Sequence, residues 1–146
     1  NYRMSNISEG IGRGQMEIIN YLVSQKRSNY EFYYKKLSKL SGIQFLNEPN
    51  HSYFSNYWLT TILIDPVVTG VSREEIQIEF EKENIEVRPL WKPMHLQPVF
   101  QGVPSYLNGI SEELFITGLC LPSGTNMSKE DKYRVVEVLL RTLKTN

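Results

Sequence analysis

The chain is short of most residues that announce a chemistry. Among 146 residues there are one cysteine and two histidines, so no internal disulfide can close and a zinc site built from such ligands is excluded. Net charge is absent as well: 16 Lys+Arg stand against 16 Asp+Glu. That balance removes the cationic excess of a protein that coats nucleic acid or an anionic membrane. No apolar run approaches the roughly 20 residues that span a bilayer; the longest, Tyr57 to Ile64, is interrupted by Thr60 and Thr61. No secretory signal pattern is present either, and the expected location is the cytoplasm.

What remains is an ordinary globular composition, 40% hydrophobic and 22% charged, which excludes a disordered or collagen-like chain. The length suits one domain, 1–146, burying roughly two-thirds of its unfolded surface. The chain opens Asn1-Tyr2-Arg3-Met4 without an initiator Met, in a stretch that reads as the interior of something longer. It is therefore expected to be a piece of a larger protein.

Hydrophobic periodicity predicts a helix from Ser8 to about Leu40, through Ile11, Ile18, Leu22, Tyr30, Tyr33 and Leu37. About 30 residues is long for one helix, so a break is expected around Ser24 to Ser28, and Ser41-Gly42 supplies a stop. Ile43 to Leu46 predicts a short strand. Tyr57 to Ile64 is the strongest strand, aromatic and β-branched, closed by Asp65-Pro66. Ser72 and Glu75 make a capping box, with Val71 and Ile76 as its staple, for a helix to about Glu83. Glu86-Val87-Arg88 reads as a strand, and Leu90 to Gly109 as an ordered loop with aromatic anchors. A helix over Ser111–Thr117, a strand over Gly118–Leu121 and a terminal helix capped at Ser128 follow. The last carries an apolar stripe of Val135, Val136, Leu139, Leu140 and Leu143. The fold class is thus α+β, a small, mainly antiparallel sheet with helices packed on one face.

Candidate sites are few. Gly10, Gly12 and Gly14 precede a helical stretch, but no strand comes before them and the dinucleotide spacing is not met, so close packing is the simpler reading. His51 sits in a polar turn. Cys120, between Leu119 and Leu121, reads as a small core residue. Tyr30, Tyr33 and Tyr34 could stack on bases, but their helical spacing favours packing. Arg88-Pro89-Leu90-Trp91-Lys92-Pro93-Met94-His95 stands apart: two cations, an imidazole and an indole are held on a proline-stiffened loop. Such a loop aims polar groups at a ligand, or else is a Trp-anchored segment whose charges face water. No catalytic set assembles from these residues alone.

Three segments in register carry a family resemblance. Asn1-Tyr2-Arg3-Met4-Ser5-Asn6-Ile7 with Gly12-Arg13-Gly14-Gln15-Met16-Glu17 is the first, and Asn84 through Phe100 the second. Leu114-Phe115 with Gly118-Leu119-Cys120-Leu121-Pro122-Ser123-Gly124-Thr125-Asn126-Met127 is the third. Together they resemble the small C-terminal domain of the DegT/DnrJ/StrS family, pyridoxal-phosphate sugar aminotransferases of aspartate-aminotransferase-like fold. The Trp91-Lys92-Pro93-Met94-His95 version is similar to the subgroup acting on UDP-4-keto-6-deoxy-N-acetylhexosamines in bacillosamine-type pathways. Much of the family has His-Tyr where this chain has Leu90-Trp91.

The resemblance implies a homodimer with active sites at the subunit interface, taking a UDP-sugar and an amino donor such as glutamate. Asn1 would reach the pyridoxal 5'-phosphate (PLP), and Arg3 would face the bound nucleotide-sugar. Arg88, Trp91, Lys92 and His95 would line the sugar-nucleotide pocket. An amide and a guanidinium both donate to phosphate oxygens, the guanidinium bidentately. The lysine that carries the cofactor belongs to the family's large domain, so this chain alone is expected to be inactive and, with bare domain-facing surfaces, to self-associate. The rival is a standalone, non-catalytic α+β binding module using the Arg88–His95 loop for an anionic metabolite or a protein partner.

Overall fold

The computed structural model describes residues 3–144. The elements run α1 (Asn6–Glu17), α2 (Ile19–Leu37), β1 (Ile43–Phe45), β2 (Thr60–Ile64), α3 (Pro66–Thr69), α4 (Arg73–Lys82), β3 (Arg88–Pro89), α5 (Ile110–Thr117), β4 (Gly118–Leu121) and α6 (Lys129–Lys144). Two single 3-10 turns, Met94–Leu96 and Pro98–Phe100, punctuate the long loop.

The strands form one sheet in the order β1-β2-β4-β3, every neighbouring pair antiparallel. Register places Ile43 opposite Ile64, Ile62 opposite Leu119 and Arg88 opposite Cys120. Because strand side chains alternate, Ile43, Phe45, Ile62, Ile64, Leu119 and Leu121 point together into the core. There they meet Tyr33 and Leu37 of α2, Ile76 and Phe80 of α4, and Val135, Val136, Val138 and Leu139 of α6. Gln44, Thr61, Leu63 and Cys120 take the other face. The expected α+β architecture is the one observed.

Local signals explain several boundaries. Ser72 Oγ accepts from Glu75 N–H at 3.2 Å while Glu75 Oε2 accepts from Ser72 N–H at 2.7 Å, the reciprocal box that satisfies two orphan donors. Ser128 and Asp131 repeat it at the start of α6, at 3.0 and 2.9 Å. Val71 and Ile76 are both buried, as the staple requires.

Other boundaries move for physical reasons. The long first helix divides at Ile18 (φ −114°, ψ 9°), not at Ser24 to Ser28. That later stretch stays helical because Lys26 Nζ and Asn29 Nδ2 are bonded to the carbonyls of Ser123 and Gly124, at 2.6 and 2.8 Å. By contrast α1 holds three glycines, each costing about 1 kcal/mol in a helix interior, and has no buried residue. Helix α2 stops at Leu37, before Gly42. Gly42, at φ 77°, instead turns the chain into β1, and a Cβ there would stand 2.6 Å from Thr69 Cγ2. Strand β2 starts only at Thr60, since Tyr57 is left-handed (φ 45°) and Asn56 Oδ1 takes the Trp58 N–H at 2.9 Å. Asp65-Pro66 does close β2, and it also opens α3: Asp65 Oδ1 caps Val67 N–H at 2.9 Å, with Pro66 at the helix's first position. Strand β3 is two residues at the sheet edge, where a proline costs no ladder bond.

Candidate functional site

The segment singled out by sequence is fastened to the sheet before it turns away. Leu90 N–H donates to Gly118 O at 3.2 Å, continuing the β3–β4 pairing by one residue. Beyond it Trp91, Lys92 and Pro93 leave the edge, and the first 3-10 turn follows.

Arg88 and Trp91 border the same cavity, of about 750 Å³, which runs along the β3 edge toward the start of α6. Its other walls include Trp58 and Leu59 before β2, Asn84 to Glu86 before β3, the Cys120–Gly124 stretch, and Asp131, Arg134 and Val135 of α6. Trp58 and Trp91 meet with ring centroids 5.9 Å apart and planes inclined by 39°. Both are more than half exposed, so one end of the cavity is an indole surface facing solvent. Arg88 Nε donates to Glu86 Oε1 at 2.6 Å, an exposed pair of the kind that contributes little. Its guanidinium can therefore be taken by an anion at small cost. Arg134 donates to the Glu83 carbonyl, and Arg141 to the Glu83 carboxylate at 2.6 Å.

The floor is held from behind. Tyr33 Oη donates to Pro122 O at 2.9 Å, Lys26 Nζ to Ser123 O, and Asn29 Nδ2 to Gly124 O. Three α2 side chains thus take three consecutive carbonyls of the turn after β4. Ser123 Oγ joins the turn to β2 by accepting from Thr60 N–H at 2.9 Å. Burial pushes the Tyr33 phenol above its ordinary range and pulls the Lys26 ammonium below its own. Burial also raises the Cys120 thiol, so it stays protonated and a poor nucleophile; it is buried, as the sequence suggests.

The remaining candidates lie apart. Lys92 and His95 are not in the cavity lining. Lys92 is exposed, and its carbonyl accepts from Gln97 Nε2 at 3.3 Å. His95 Nε2 sits 2.7 Å from Glu112 Oε1, which joins the loop to the first turn of α5. Arg3 is exposed two residues before Ser5, the N-cap of α1. Asn1 lies outside the described residues. His51 is exposed, and no group of three or more His, Cys, Asp or Glu able to hold a metal occurs among the described residues. Nor is any described helix long and apolar enough to cross a membrane.

A second strap borders this region. Arg27 pairs with Glu48 at 2.9 Å, donates to Ser55 O and lies over the rings of Phe54 and Tyr57 at 4.6 and 5.0 Å. Glu48 also accepts from Ser55 N–H at 2.6 Å. The Arg27 hydrogen bond first, and the Ser55 amide second, hold the Glu48 carboxyl below the usual carboxylate value of 4.5. A depressed folded pKa means that this contribution is complete above the unfolded value and is lost as pH falls through the folded one. The 46–57 loop is therefore expected to loosen in acid below about pH 4. Limited proteolysis across that range checks it: wild type should become cleavable between Glu48 and Tyr57 on acidification, and Arg27→Ala already at neutral pH.

Sequence reasoning missed Trp58, Glu112, Arg134 and the α2 side chains behind the floor. Trp58 read as part of a strand. The others are recognisable only once α5, α6 and α2 are packed beside the sheet.

This fold and loop belong to a class of domain found in aminotransferases. Residues 1–140 match the DegT/DnrJ/EryC1/StrS aminotransferase family, and the chain belongs to that family. EpsN of Bacillus subtilis (strain 168), which bears the name of a pyridoxal phosphate-dependent aminotransferase, is 41% identical over 99% of this chain and 37% of its own length. The GDP-perosamine synthase of Escherichia coli O157:H7 is 31% identical over 94% of this chain and 36% of its own. Among solved structures, DesI in the presence of its TDP-sugar product superposes with a TM-score of 0.87 at 24% identity, over 97% of this chain and 36% of that one. The aminotransferase TlmJ from Streptoalloteichus hindustanus gives 0.84 at 22%, over 95% and 36%. The chain thus spans little more than a third of the relatives it matches.

PLP is the family's cofactor. The described residues do not by themselves fit it. No lysine lines the cavity, and the part-buried Lys26 has its ammonium on the Ser123 carbonyl.

Proposed function

We propose that this chain is the smaller, C-terminal domain of a PLP-dependent transaminase. The whole protein moves an amino group, from glutamate, onto a UDP-4-keto-6-deoxy-N-acetylhexosamine for bacterial glycan synthesis. It works in the cytoplasm as a homodimer, and the cofactor lysine comes from a larger domain outside this chain. The observation that carries the reading is the family match over nearly all of this chain, combined with relatives close to three times its length.

In this reading the chain binds and orients rather than transforms. Asn1 donates to the cofactor phosphate in the partner's site, while Arg3 and Arg88 donate to nucleotide phosphate oxygens, a geometry the planar guanidinium suits. Trp91, with Trp58 against it, covers an apolar ring face and excludes water. Lys92 and His95, which lie outside the cavity lining, add a positive charge and a ring nitrogen from the same loop. The bare indole surface and the weakly held Arg88 support such a role.

The test uses the complete protein from its source cells. Borohydride reduction should fix one PLP on a lysine outside this chain. With glutamate, the UDP-4-keto-6-deoxy-N-acetyl sugar should be aminated and 2-oxoglutarate released. Turnover of only a GDP-linked keto sugar would keep the transaminase and replace its substrate by a nucleotide-sugar of the kind the name GDP-perosamine synthase points to. A protein that takes up no PLP and aminates neither sugar would sink the proposal.

A further inference from the structure

The contact between His95 and Glu112 has a consequence for which atom His95 can present. The imidazole is 17% exposed and the carboxylate 28%, and they meet through Nε2 and Oε1 at 2.7 Å. A carboxylate only accepts, so Nε2 must carry the hydrogen. In the neutral ring Nδ1 is then the bare acceptor. Nδ1 has no hydrogen-bond partner among the described residues. It is not sealed from solvent either, since Thr60 Oγ1 is the one buried side-chain polar atom there without a partner. A part-buried ring with one nitrogen committed to a carboxylate and the other left open can serve a ligand.

We infer that Glu112 is a positioning residue: it fixes His95 as the Nε2–H tautomer and so offers Nδ1 as an acceptor for a hydroxyl or amide N–H of the bound sugar-nucleotide. The inference rests on the proposed function for the identity of that ligand, but not for the tautomer. Three features support the geometry. Glu112 stands in the first turn of α5, where a negative charge is favoured by the helix dipole. The ring is carried by a 3-10 turn, Met94–Leu96, entered through Pro93, so its backbone has little freedom. Finally, α5 runs directly into β4 without a loop, which ties Glu112 to the sheet on which Arg88 is paired. The sheet thus sets the distance between the imidazole and the cavity. A carboxylate that orients a histidine from behind is a known device for selecting which ring nitrogen works.

The experiment uses the complete protein. Glutamine at 112 can still accept from Nε2–H, whereas alanine cannot. Glu112→Ala is expected to raise KM for the sugar-nucleotide about five- to tenfold, the loss of one oriented hydrogen bond, with a smaller change in kcat. Glu112→Gln should return KM to within about twofold of wild type. The double variant Glu112→Ala/His95→Gln should be no worse than His95→Gln, because both remove one device. Independent, multiplying losses would overturn the inference, as would a Glu112→Gln variant as poor as Glu112→Ala. A second readout needs no turnover. In 15N-histidine spectra, with His95 assigned by difference against His95→Gln, the neutral ring should be locked as the Nε2–H tautomer in wild type and Glu112→Gln. Glu112→Ala should instead relax to the averaged mixture of a free imidazole, in which Nε2–H is only the major form. A dominant Nδ1–H tautomer in wild type would overturn the inference. If neither sugar is turned over, the proposed function fails and the spectra alone decide the role of Glu112.

Discussion

Gly118→Ala is expected to destabilise the fold by about 3 kcal/mol, at the upper end for an overpacked site. The backbone itself would tolerate alanine, since φ is −88° and ψ is 135°. Space is what is missing: a Cβ would stand 2.2 Å from Leu90 Cδ1, 2.6 Å from Leu90 Cγ and 2.4 Å from Leu114 O. The Leu90 side chain can rotate away, but Leu114 O accepts the bond that closes α5 and cannot retreat without opening that helix. Leu90 also donates its N–H to Gly118 O, so displacing it moves the start of the Trp91–His95 loop. Urea unfolding should show a lower midpoint, and tryptophan fluorescence should shift as Trp91 leaves Trp58. Gly14→Ala is the control. Nothing lies within 4 Å of its added Cβ, so it should be neutral or stabilise α1 by up to about 1 kcal/mol. Equal effects from the two substitutions would refute the account.

Tyr33→Ala should be the largest single truncation, at about 4 kcal/mol. The ring is fully buried and stands edge-on to Phe32 at 5.8 Å, so its removal leaves a void among close-packed residues. Its hydroxyl, donating to Pro122 O, is one of the three α2 bonds behind the cavity floor. Tyr33→Phe separates the two losses. It keeps the ring and removes the bond, for about 1 kcal/mol. If Tyr33→Phe cost as much as Tyr33→Ala by thermal or urea unfolding, the hydroxyl rather than the packing would hold the turn.

The parts of this molecule legible in its sequence are those determined within one turn or one strand. Ser72 with Glu75, and Ser128 with Asp131, are local instructions, and both are obeyed. The apolar stripe of α6 and the run Gly118–Leu121 likewise needed no partner to be recognised. The break at Ile18 was not legible, because the continuity of α2 beyond it depends on carbonyls at Ser123 and Gly124. The late start of β2 turned on a left-handed Tyr57 and an Asn56 side-chain bond, against strong strand propensity. At the site, Arg88 and Trp91 stand out in the loop sequence itself, and they share a cavity. That cavity exists because β3 pairs with β4 rather than with β2, a tertiary choice that also brought Trp58 and Arg134 to its walls. The family was legible for another reason: three separated motifs kept their order along the chain.

Cys120 is the chain's one cysteine, and it lies at the cavity, 5% exposed, paired across the sheet with Arg88. Its neighbour on that side, β3, is two residues long. The side chain lines the cavity, so a reagent that modifies thiols reaches the sulfur from there, and slowly, because burial keeps the thiol protonated. The rate of modification therefore times access to the cavity. A compound lodged against Arg88 and Trp91 would slow that clock, giving an occupancy gauge built into the chain without any added label.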